Sequence, residues 1–299
     1  MELHQLRYFC AIVRTGNFTR AAEDQHVAQP SLSQQIHKLE DELGVKLFDR
    51  FPRFARLTES GRAFLPKAEA ILRQVGEARS EIQEKSRTEV GTLYVGCIPT
   101  VAPYFLSYVL AGFARRYPGV SVRVVEDITS ALLDHLHHGR VDIVLLALPV
   151  RGDELHVEEL FREALYASLP QSHRLAHRKA IDLTEIRAEP FLLLKEGHCF
   201  RENALAACRR SRIHPNVIFE SGHFSTILSM VATGMGVSVV PAMAVNKHSG
   251  CRFVPLGDER MARSVGFVQL KHRFPTRAQR AFIEELRRQA RAHRIKRRH

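Results

Sequence analysis

The sequence predicts a protein of the α + α/β class: a small helical N-terminal unit, one long connecting helix, and two lobes in which strands and helices alternate. Three observations predict it. Apolar residues recur at helical spacing through the first 44 residues, an apolar spacing of four and three continues from residue 59, and short apolar strands alternate with helices after Gly91. A chain of 299 residues with 45% hydrophobic content is long enough for two or three domains with separate cores.

The chain is strongly basic. Its formal net charge is +12 at pH 7 and its isoelectric point is near 9.9, values typical of proteins that bind a polyanion. Part of the charge lies in one run of Lys and Arg between residues 287 and 298. Because such a run is more often a solvated helix end than a binding site, charge indicates a polyanionic partner without locating where it binds.

Two short helices open the chain. The first is predicted from apolar residues at helical spacing and ends at Gly16-Asn17. Its inward positions are Leu3, Leu6, Phe9, Cys10 and Val13. The second has inward positions Phe18, Ala21, Ala22 and Val27. The two alanines permit a close crossing of helices.

A third helix follows the turn Ala28-Gln29-Pro30, because Pro30 suits a first helical position, and it ends at Gly44. Its apolar stripe comprises Leu32, Ile36, Leu39 and Leu43. The other face carries hydroxyl, amide and basic groups near its start and the acids Glu40, Asp41 and Glu42 further on. A helix that enters the major groove by its N-terminal residues has this distribution. The predicted DNA-binding residues here are Gln29, Pro30, Ser31, Ser33, Gln34, His37 and Lys38.

Two short strands, at residues 45–50 and 55–58, are expected next, joined by a loop that contains Pro52 and Arg53. Arg50, Arg53 and Arg56 would form a basic wing beside the third helix, and we include Arg50 and Arg53 among the predicted DNA-binding residues. The alternative is a plain three-helix bundle with a solvated polar face.

One long helix is predicted over residues 59–88, with a seam that alternates spacings of four and three. The seam consists of Phe64, Ala68, Ile71, Val75, Ala78 and Ile82. A seam of this length predicts a homodimer that presents two recognition helices to a two-fold symmetric operator. The alternative is that the same residues pack onto the chain's own N-terminal domain.

Beyond Gly91, strands and helices alternate in a pattern that favours parallel βαβ units. The first set has strands at 93–98, 120–125 and 141–148 and helices at 103–117 and 130–138. The second has strands at 166–169, 191–194, 217–220 and 237–240 and helices at 199–211 and 224–233. A return strand at 263–270 and a closing helix at 276–295 follow. A ligand in such sheets sits at the carboxyl ends of the strands.

No membrane segment is expected. Residues 224–245 lack charge and are long enough to span a bilayer, but Gly234-Met235-Gly236 divides them into a helix and a short strand. The N-terminus has the pattern of an amphipathic helix rather than an export signal, and the five cysteines are an odd number. We therefore expect a cytoplasmic protein with reduced thiols.

The segment Glu196-Gly197-His198-Cys199-Phe200-Arg201 places a thiol at the start of a predicted helix. The helix dipole and nearby cations favour the thiolate, which is the reactive form. Cys208 lies nine residues further along this helix, about 13 Å away, whereas a disulfide needs Cα atoms within about 7 Å. These cysteines can therefore pair only if the helix rearranges. The alternative is that both are small buried hydrophobic residues.

Three segments resemble the winged helix-turn-helix of LysR-type transcriptional regulators. They are Asn17-Phe18-Thr19-Arg20-Ala21-Ala22, Gln29 to Ile36, and Leu39 to Arg50, followed by Leu57-Thr58-Glu59-Ser60-Gly61. The resemblance implies a DNA-binding domain at residues 1–58, a linker helix at 59–88 and a two-lobed, periplasmic-binding-protein-like regulatory domain. Its lobe I would comprise residues 92–163 plus 265–299, and its lobe II residues 164–264. Ala28 departs from the usual Ser or Thr cap of the recognition helix.

Two motifs are similar to those of the peroxide sensors within this family: residues 96–104, and residues 197–201 with Cys208. The resemblance implies that Cys199 is oxidised by hydrogen peroxide and that Cys208 resolves the sulfenic acid to a disulfide. It further implies that Thr100 and His198 position peroxide, that Arg201 lowers the thiol pKa, and that Thr129 and Arg263 assist. The alternative for Arg263 is a surface charge. RNA polymerase is an implied partner, and the assembly is a homodimer or homotetramer. Glu202 departs from the usual Asp, and Gly222-His223-Phe224 from Thr-Ser-Leu.

Other functions remain in competition. A LysR-type regulator that binds a small organic effector between its lobes would carry both cysteines as structural residues. A thiol peroxidase is disfavoured because the chain has no Cys-x-x-Cys, so we do not expect an enzyme. His135, His137 and His138 lack a paired ligand cluster, and we expect neither a metal nor another cofactor.

Overall fold

A computed structural model describes residues 1–51, 54–83, 91–245, 250–258 and 260–296, with only the backbone at Arg50, 77–83 and 294–296. The chain forms two compact units, one of residues 1–88 and 138–140 and the other of residues 89–137 and 141–299. Within the described part of the chain, no helix is both long and apolar enough to cross a membrane.

The first unit contains α1 (Leu3–Thr15), α2 (Phe18–Asp24), α3 (Gln29–Leu43), β1 (Phe48–Arg50), β2 (Ala55–Leu57) and α4 (Glu59–Gln83). Gly16 and Gly44 end α1 and α3 in the left-handed conformation, with φ of 67° and 68°, which glycine adopts without steric cost. The Asn17 side chain caps α2 by accepting the backbone N–H groups of Thr19 and Arg20. Ala28, at the start of α3, has no side-chain oxygen with which to do the same.

The core of this unit confirms most of the predicted helix faces. Its fully buried residues include Leu6, Phe9, Ile12, Leu32, Ile36 and Leu39. Two residues predicted to face inward lie at helix ends and are exposed instead: Leu3, the first residue of α1, by 37%, and Leu43, the last residue of α3, by 36%.

Glu40 corrects the predicted polar face of α3. Its side chain is buried, and Oε1 accepts backbone N–H groups from Leu47 at 2.8 Å and Phe48 at 3.3 Å. Lys46 Nζ lies 3.3 Å from Oε2. Glu40 therefore joins the recognition helix to the start of the wing, while Asp41 and Glu42 remain exposed.

Lobe I of the second unit is a mixed sheet. In it, β3 (Gly91–Cys97) pairs in parallel with both β4 (Val120–Glu126) and β5 (Ile143–Leu148). The returning strand β11 (Ala262–Leu270) pairs antiparallel with β5. A π-helical turn (Ala102–Leu106), α5 (Ser107–Arg116), α6 (Thr129–His137) and α9 (Arg277–Lys296) complete the lobe. Parallel pairing is thus confirmed for β3, β4 and β5, and the predicted return strand runs antiparallel to β5.

The two lobes share β6 (Leu155–Pro170), a 16-residue strand of which the sequence predicted only residues 166–169. Its first ten residues run along β11, and nine of them pair with it because the register shifts at Leu160. Its last six residues pair with β9 (Ser238–Pro241) and β10 (Cys251–Pro255). Strand β10 was not predicted. The charged residues 158, 159, 162 and 163 interrupt the apolar pattern of β6. For this reason the sequence predicted only the apolar end of the strand.

Lobe II also holds β7 (Pro190–Leu194), α7 (Cys199–Arg210), β8 (Asn216–Ser221) and α8 (Phe224–Ala232), and β7 and β8 pair in parallel. Each lobe has its own core. One draws on residues 93–161 and 265–290 together with Met243, and the other on residues 165–261. The start of α7 lies where these two cores meet.

Candidate functional site

The predicted DNA-binding residues of α3 share an accessible surface. Six of the seven are exposed, and Ser33 is half-buried. The exposed residues are Gln29, Pro30, Ser31, Gln34, His37 and Lys38. The wing residues are less fully described: Arg50 belongs to β1 but only by its backbone, and Arg53 lies outside the described residues. The N-terminal half of α3 therefore offers amide, hydroxyl and basic groups to a nucleic acid.

The thiol predicted to be reactive occupies the first position of α7, after the left-handed Gly197 with φ of 90°. Cys199 is half-buried and packs against the lobe I core, although α7 belongs to lobe II. The next residue, Phe200, is buried in the lobe II core instead. Two consecutive residues at the start of α7 therefore contact different lobes, Cys199 the core of lobe I and Phe200 the core of lobe II.

Cys208 lies in the last turns of the same continuous helix, Cys199–Arg210, and only 1% of its surface is exposed. Each of the five cysteines is a free thiol. Burial raises the pKa of Cys208 to about 11, with Arg209 opposing the effect. This thiol is protonated and enclosed in the lobe II core, so α7 must open before Cys208 can reach Cys199.

Arg263 was a weaker candidate in the sequence analysis, with surface charge as its alternative. That alternative is wrong, because Arg263 is the largest fully buried side chain among the described residues. Its Nε donates to Glu163 Oε1 at 2.8 Å. Its two Nη atoms donate to Thr100, Nη1 to Oγ1 at 2.9 Å and Nη2 to the carbonyl oxygen at 3.1 Å. The guanidinium also lies 5.0 Å from the ring centroid of Phe200.

Arg263, which lies on β11, therefore contacts β6, the loop after β3 and the first turn of α7. Thr100 follows β3 in lobe I, Glu163 lies on the shared strand β6, and Phe200 adjoins Cys199. Glu163 Oε2 accepts the backbone N–H of Met243, which follows β9, at 2.8 Å. The sequence interpretation missed Glu163, Met243 and Phe200, since a single acid within an unpredicted strand and two ordinary apolar residues carry no local signal.

His198 is 6% exposed, immediately before Cys199. Burial, and after it the charges of Lys195 and His223, lower its pKa below the ordinary value of 6.5. Gly222 lies beside this group: a Cβ there would meet Lys195 Cε at 3.5 Å and His198 Nε2 at 3.9 Å. A neutral imidazole at this position can both donate and accept a hydrogen bond.

Thr129 and Arg201 are placed differently from one another. Thr129 begins α6, and its Oγ1 is buried with no hydrogen-bond partner among the described residues. The preceding residue, Ile128, lies 3.1 Å from where a Cβ of Gly197 would stand, so this end of α6 faces the loop before Cys199.

Arg201 donates to the Leu194 carbonyl oxygen at 2.9 Å and pairs with Glu220. Those contacts anchor the first turn of α7 to β7 and β8.

A cavity of about 530 Å³ opens beside Thr100, between α5, β4 and the start of α8. Its lining includes Thr100, Tyr104, Leu110, Val124, Glu126 and His223. This volume would admit a small organic molecule. Among the described residues there is no group of three or more His, Cys, Asp or Glu side chains that could hold a metal ion.

Comparison with known proteins gives matches along nearly the whole chain. Residues 3–62 match the bacterial regulatory helix-turn-helix protein, lysR family, and residues 86–291 match the LysR substrate binding domain. The DNA-binding transcriptional dual regulator OxyR of Escherichia coli is 34% identical over 272 residues, which cover 90% of this chain and 89% of that protein.

Two solved structures show the same architecture. A full-length OxyR variant from Pseudomonas aeruginosa superposes with a TM-score of 0.75 at 33% identity, covering 96% of this chain and 98% of that one. Full-length CbnR in complex with its target DNA superposes with a TM-score of 0.73 at 26% identity, covering 97% and 100%. Together with the two family matches, these full-length structures confirm the predicted fold class, a winged helix-turn-helix unit followed by a two-lobed α/β domain.

Proposed function

The chain belongs to the LysR family of DNA-binding transcriptional regulators, and from that premise we propose that it senses hydrogen peroxide through oxidation of Cys199. Members of this family bind operator DNA, form oligomers and are not enzymes. The observation that carries the proposal is the position of Cys199. It begins a helix of one lobe while its side chain packs on the core of the other, so a chemical change at its sulfur acts on the junction of the lobes.

The chemistry has two steps. The Cys199 thiolate attacks one oxygen of hydrogen peroxide, the O–O bond breaks, and a sulfenic acid and hydroxide form. The Cys208 sulfur then displaces the sulfenic oxygen, which leaves as water with the thiol proton, and a disulfide closes. Cα atoms about 13 Å apart along an intact helix must come within about 7 Å, so α7 unfolds in this step.

The groups around Cys199 suit the first step. Thr100 and Thr129 supply hydroxyls, and the pKa shift of His198 favours a neutral ring that can hydrogen-bond both oxygens of peroxide. Arg263 brings a fixed positive charge to Thr100 and to Phe200, the residue that follows Cys199. We assign Arg201 a different role from the one the resemblance implied: through Leu194 and Glu220 it holds the helical start that the second step must release.

Oxidation is proposed to act on DNA through a homodimer. The seam residues Phe64, Ala68 and Ile71 of α4 pack onto the helix-turn-helix core, so the part of the seam left for a second copy begins near Val75. Two copies would present two α3 helices to successive major grooves of an operator, and a tetramer would present four. RNA polymerase is the proposed recipient of the resulting change in DNA geometry.

The test is a footprint on operator DNA before and after one equivalent of hydrogen peroxide, with wild-type protein and Cys199→Ser. We expect the wild-type footprint to change and the Cys199→Ser footprint to stay as in the reduced state. Cys251→Ser is a matched control, because Cys251 is buried in lobe II and donates to the Leu228 carbonyl oxygen, a bond that Ser can keep. A full peroxide response from Cys199→Ser would end the proposal.

The cavity beside Thr100 favours a second candidate, a regulator of the same family that binds a small organic effector. The two functions differ in a simple observation. A peroxide sensor changes its footprint in purified form with peroxide alone, whereas an effector-binding regulator does so only with a small molecule and is indifferent to Cys199→Ser.

A further inference from the structure

A third thiol lies on the opposite side of the lobe junction. Cys97 is the last residue of β3, and its side chain is fully buried in the lobe I core. Cys199 packs against that same core from lobe II. The two sulfur-bearing residues thus share one cluster, although 102 positions separate them in sequence and they belong to different lobes.

A single side chain holds the two segments together. Arg263 donates to Thr100, three residues after Cys97, and lies over the ring of Phe200, the residue after Cys199. The loop that follows β3 and the first turn of α7 are therefore fixed on either side of one guanidinium.

The electrostatics agree with this proximity. Burial raises the pKa of Cys97 well above its ordinary value, and the charges of Glu126 and Cys199 raise it further, whereas Arg263 lowers it.

We propose that Cys97 is a second resolving thiol, which captures the Cys199 sulfenic acid as a disulfide that joins lobe I to lobe II. The inference rests on the first step of the proposed function, the oxidation of Cys199, and it is independent of Cys208. It adds a second oxidised state, one in which the two lobes are covalently tied.

The step balances without a further reagent. Hydrogen peroxide oxidises Cys199 to the sulfenic acid. The Cys97 sulfur then attacks the Cys199 sulfur, the S–O bond breaks, and the oxygen leaves as water together with the proton of Cys97. One peroxide has then oxidised two thiols to one disulfide, and the products are the disulfide and two molecules of water.

The two disulfides place different demands on the fold. A bond to Cys208 requires α7 to unfold, because both residues lie on one continuous helix. A bond to Cys97 crosses the junction at the N-terminal end of α7 and leaves the helix in place. The Cys97 route therefore does not depend on the unfolding of α7.

Cys97 is suited to this second role and not to the first. It has no access to solvent, and its Sγ lies 3.6 Å from the Ile98 carbonyl oxygen, to which it donates. Peroxide from solvent therefore meets the half-exposed Cys199 first, and Cys97 reacts only with what Cys199 becomes.

The decisive experiment uses full-length Cys208→Ser treated with one equivalent of hydrogen peroxide and digested without reduction. Mass spectrometry should find a peptide pair linked through Cys97 and Cys199, and the link should be lost in Cys97→Val with Cys208→Ser. Cys251→Ala with Cys208→Ser is the matched control, because it removes another buried cysteine from the lobe II core and should keep the link. Finding Cys199 only as sulfenic or sulfinic acid in Cys208→Ser would overturn the proposal.

Dimedone, which labels sulfenic acids, separates this failure from a failure of the proposed function. In Cys97→Val with Cys208→Ser, the label should accumulate on Cys199, and its absence would reject the oxidation of Cys199 itself. Cys97→Ala serves as a second variant if Cys97→Val alters the thermal unfolding of the protein. Hydrogen exchange provides an independent readout: α7 should stay protected in oxidised Cys208→Ser and lose protection in oxidised Cys97→Val.

Discussion

Arg263 Nη1 donates a hydrogen bond to Thr100 Oγ1 over 2.9 Å, between residues separated by 163 positions in the sequence. Both side chains are buried, and the same guanidinium pairs with buried Glu163. This contact links the end of β3 to the strand that returns from lobe II. The start of α7, and with it Cys199, is therefore packed on a fixed network of charges and hydrogen bonds rather than on apolar contacts alone.

We expect Arg263→Met to lower the free energy of unfolding by about 3–5 kcal/mol, because it removes the arginine that pairs with the buried Glu163 carboxylate. Arg263→Met with Glu163→Gln should recover part of this loss, since the double variant buries no charge at either position. Urea denaturation measures both. Arg260→Met is the control, because Arg260 forms an exposed ion pair with Asp258 and its loss should leave stability unchanged. A loss in Arg263→Met no larger than in Arg260→Met would contradict the network.

Stability should fall with acid in a way that depends on His198. The folded protein holds the pKa of His198 below 6.5, so the unfolded chain binds more protons as the pH decreases through that range. The free energy of unfolding should therefore decline from about pH 7.5 to pH 5.5, and His198→Gln should make that decline shallower. His177→Gln, a change at an exposed histidine, should keep the wild-type slope. Equal slopes for the wild type and His198→Gln would refute the prediction.

Alkylation should distinguish the thiols of the native protein. Burial, and after it the charge of Glu69, raises the pKa of Cys10 to about 12, and burial raises that of Cys208 to about 11. At about pH 8 their thiolate fractions are then on the order of 10⁻⁴ and 10⁻³. We expect iodoacetamide to label Cys199 well before either, as followed by mass spectrometry over time. In urea the three should label at similar rates. Native labelling of half-buried Cys10 as fast as that of Cys199 would speak against a reactive Cys199.

Operator binding should depend on the N-terminal half of α3. Gln34→Ala should weaken binding by about 1–3 kcal/mol if its amide reads a base edge, as measured by fluorescence anisotropy at fixed salt. Asp41→Ala, at the exposed C-terminal end of the same helix, is the matched control and should bind at least as well as the wild type because it removes a negative charge. If both variants bind as the wild type does, recognition lies elsewhere, with the wing the next surface to test.

Much of this arrangement was accessible from the sequence because it depends on local patterns. Helical spacing of apolar residues predicted α1, α2, α3 and the course of α4, and Gly197 followed by His198 and Cys199 predicted a thiol at the start of α7. These features need only neighbours within one or two turns, so they are visible in a single chain. The motifs of the helix-turn-helix segment are equally local, and comparison confirmed them.

The tertiary structure decided what those local pieces face. Glu40 lies in the polar half of α3 by sequence, but it is buried because the wing supplies two backbone N–H groups for its carboxylate. Arg263 is buried for the same reason, since Glu163 and Thr100 lie 100 and 163 residues away and satisfy its charge and its donors. Cys199 packs against the lobe I core that contains Cys97 only because the two lobes are folded against each other. A partner of a buried polar group is chosen by chain topology, which single-sequence periodicity does not encode, and so the network around the thiol was decided only by the fold.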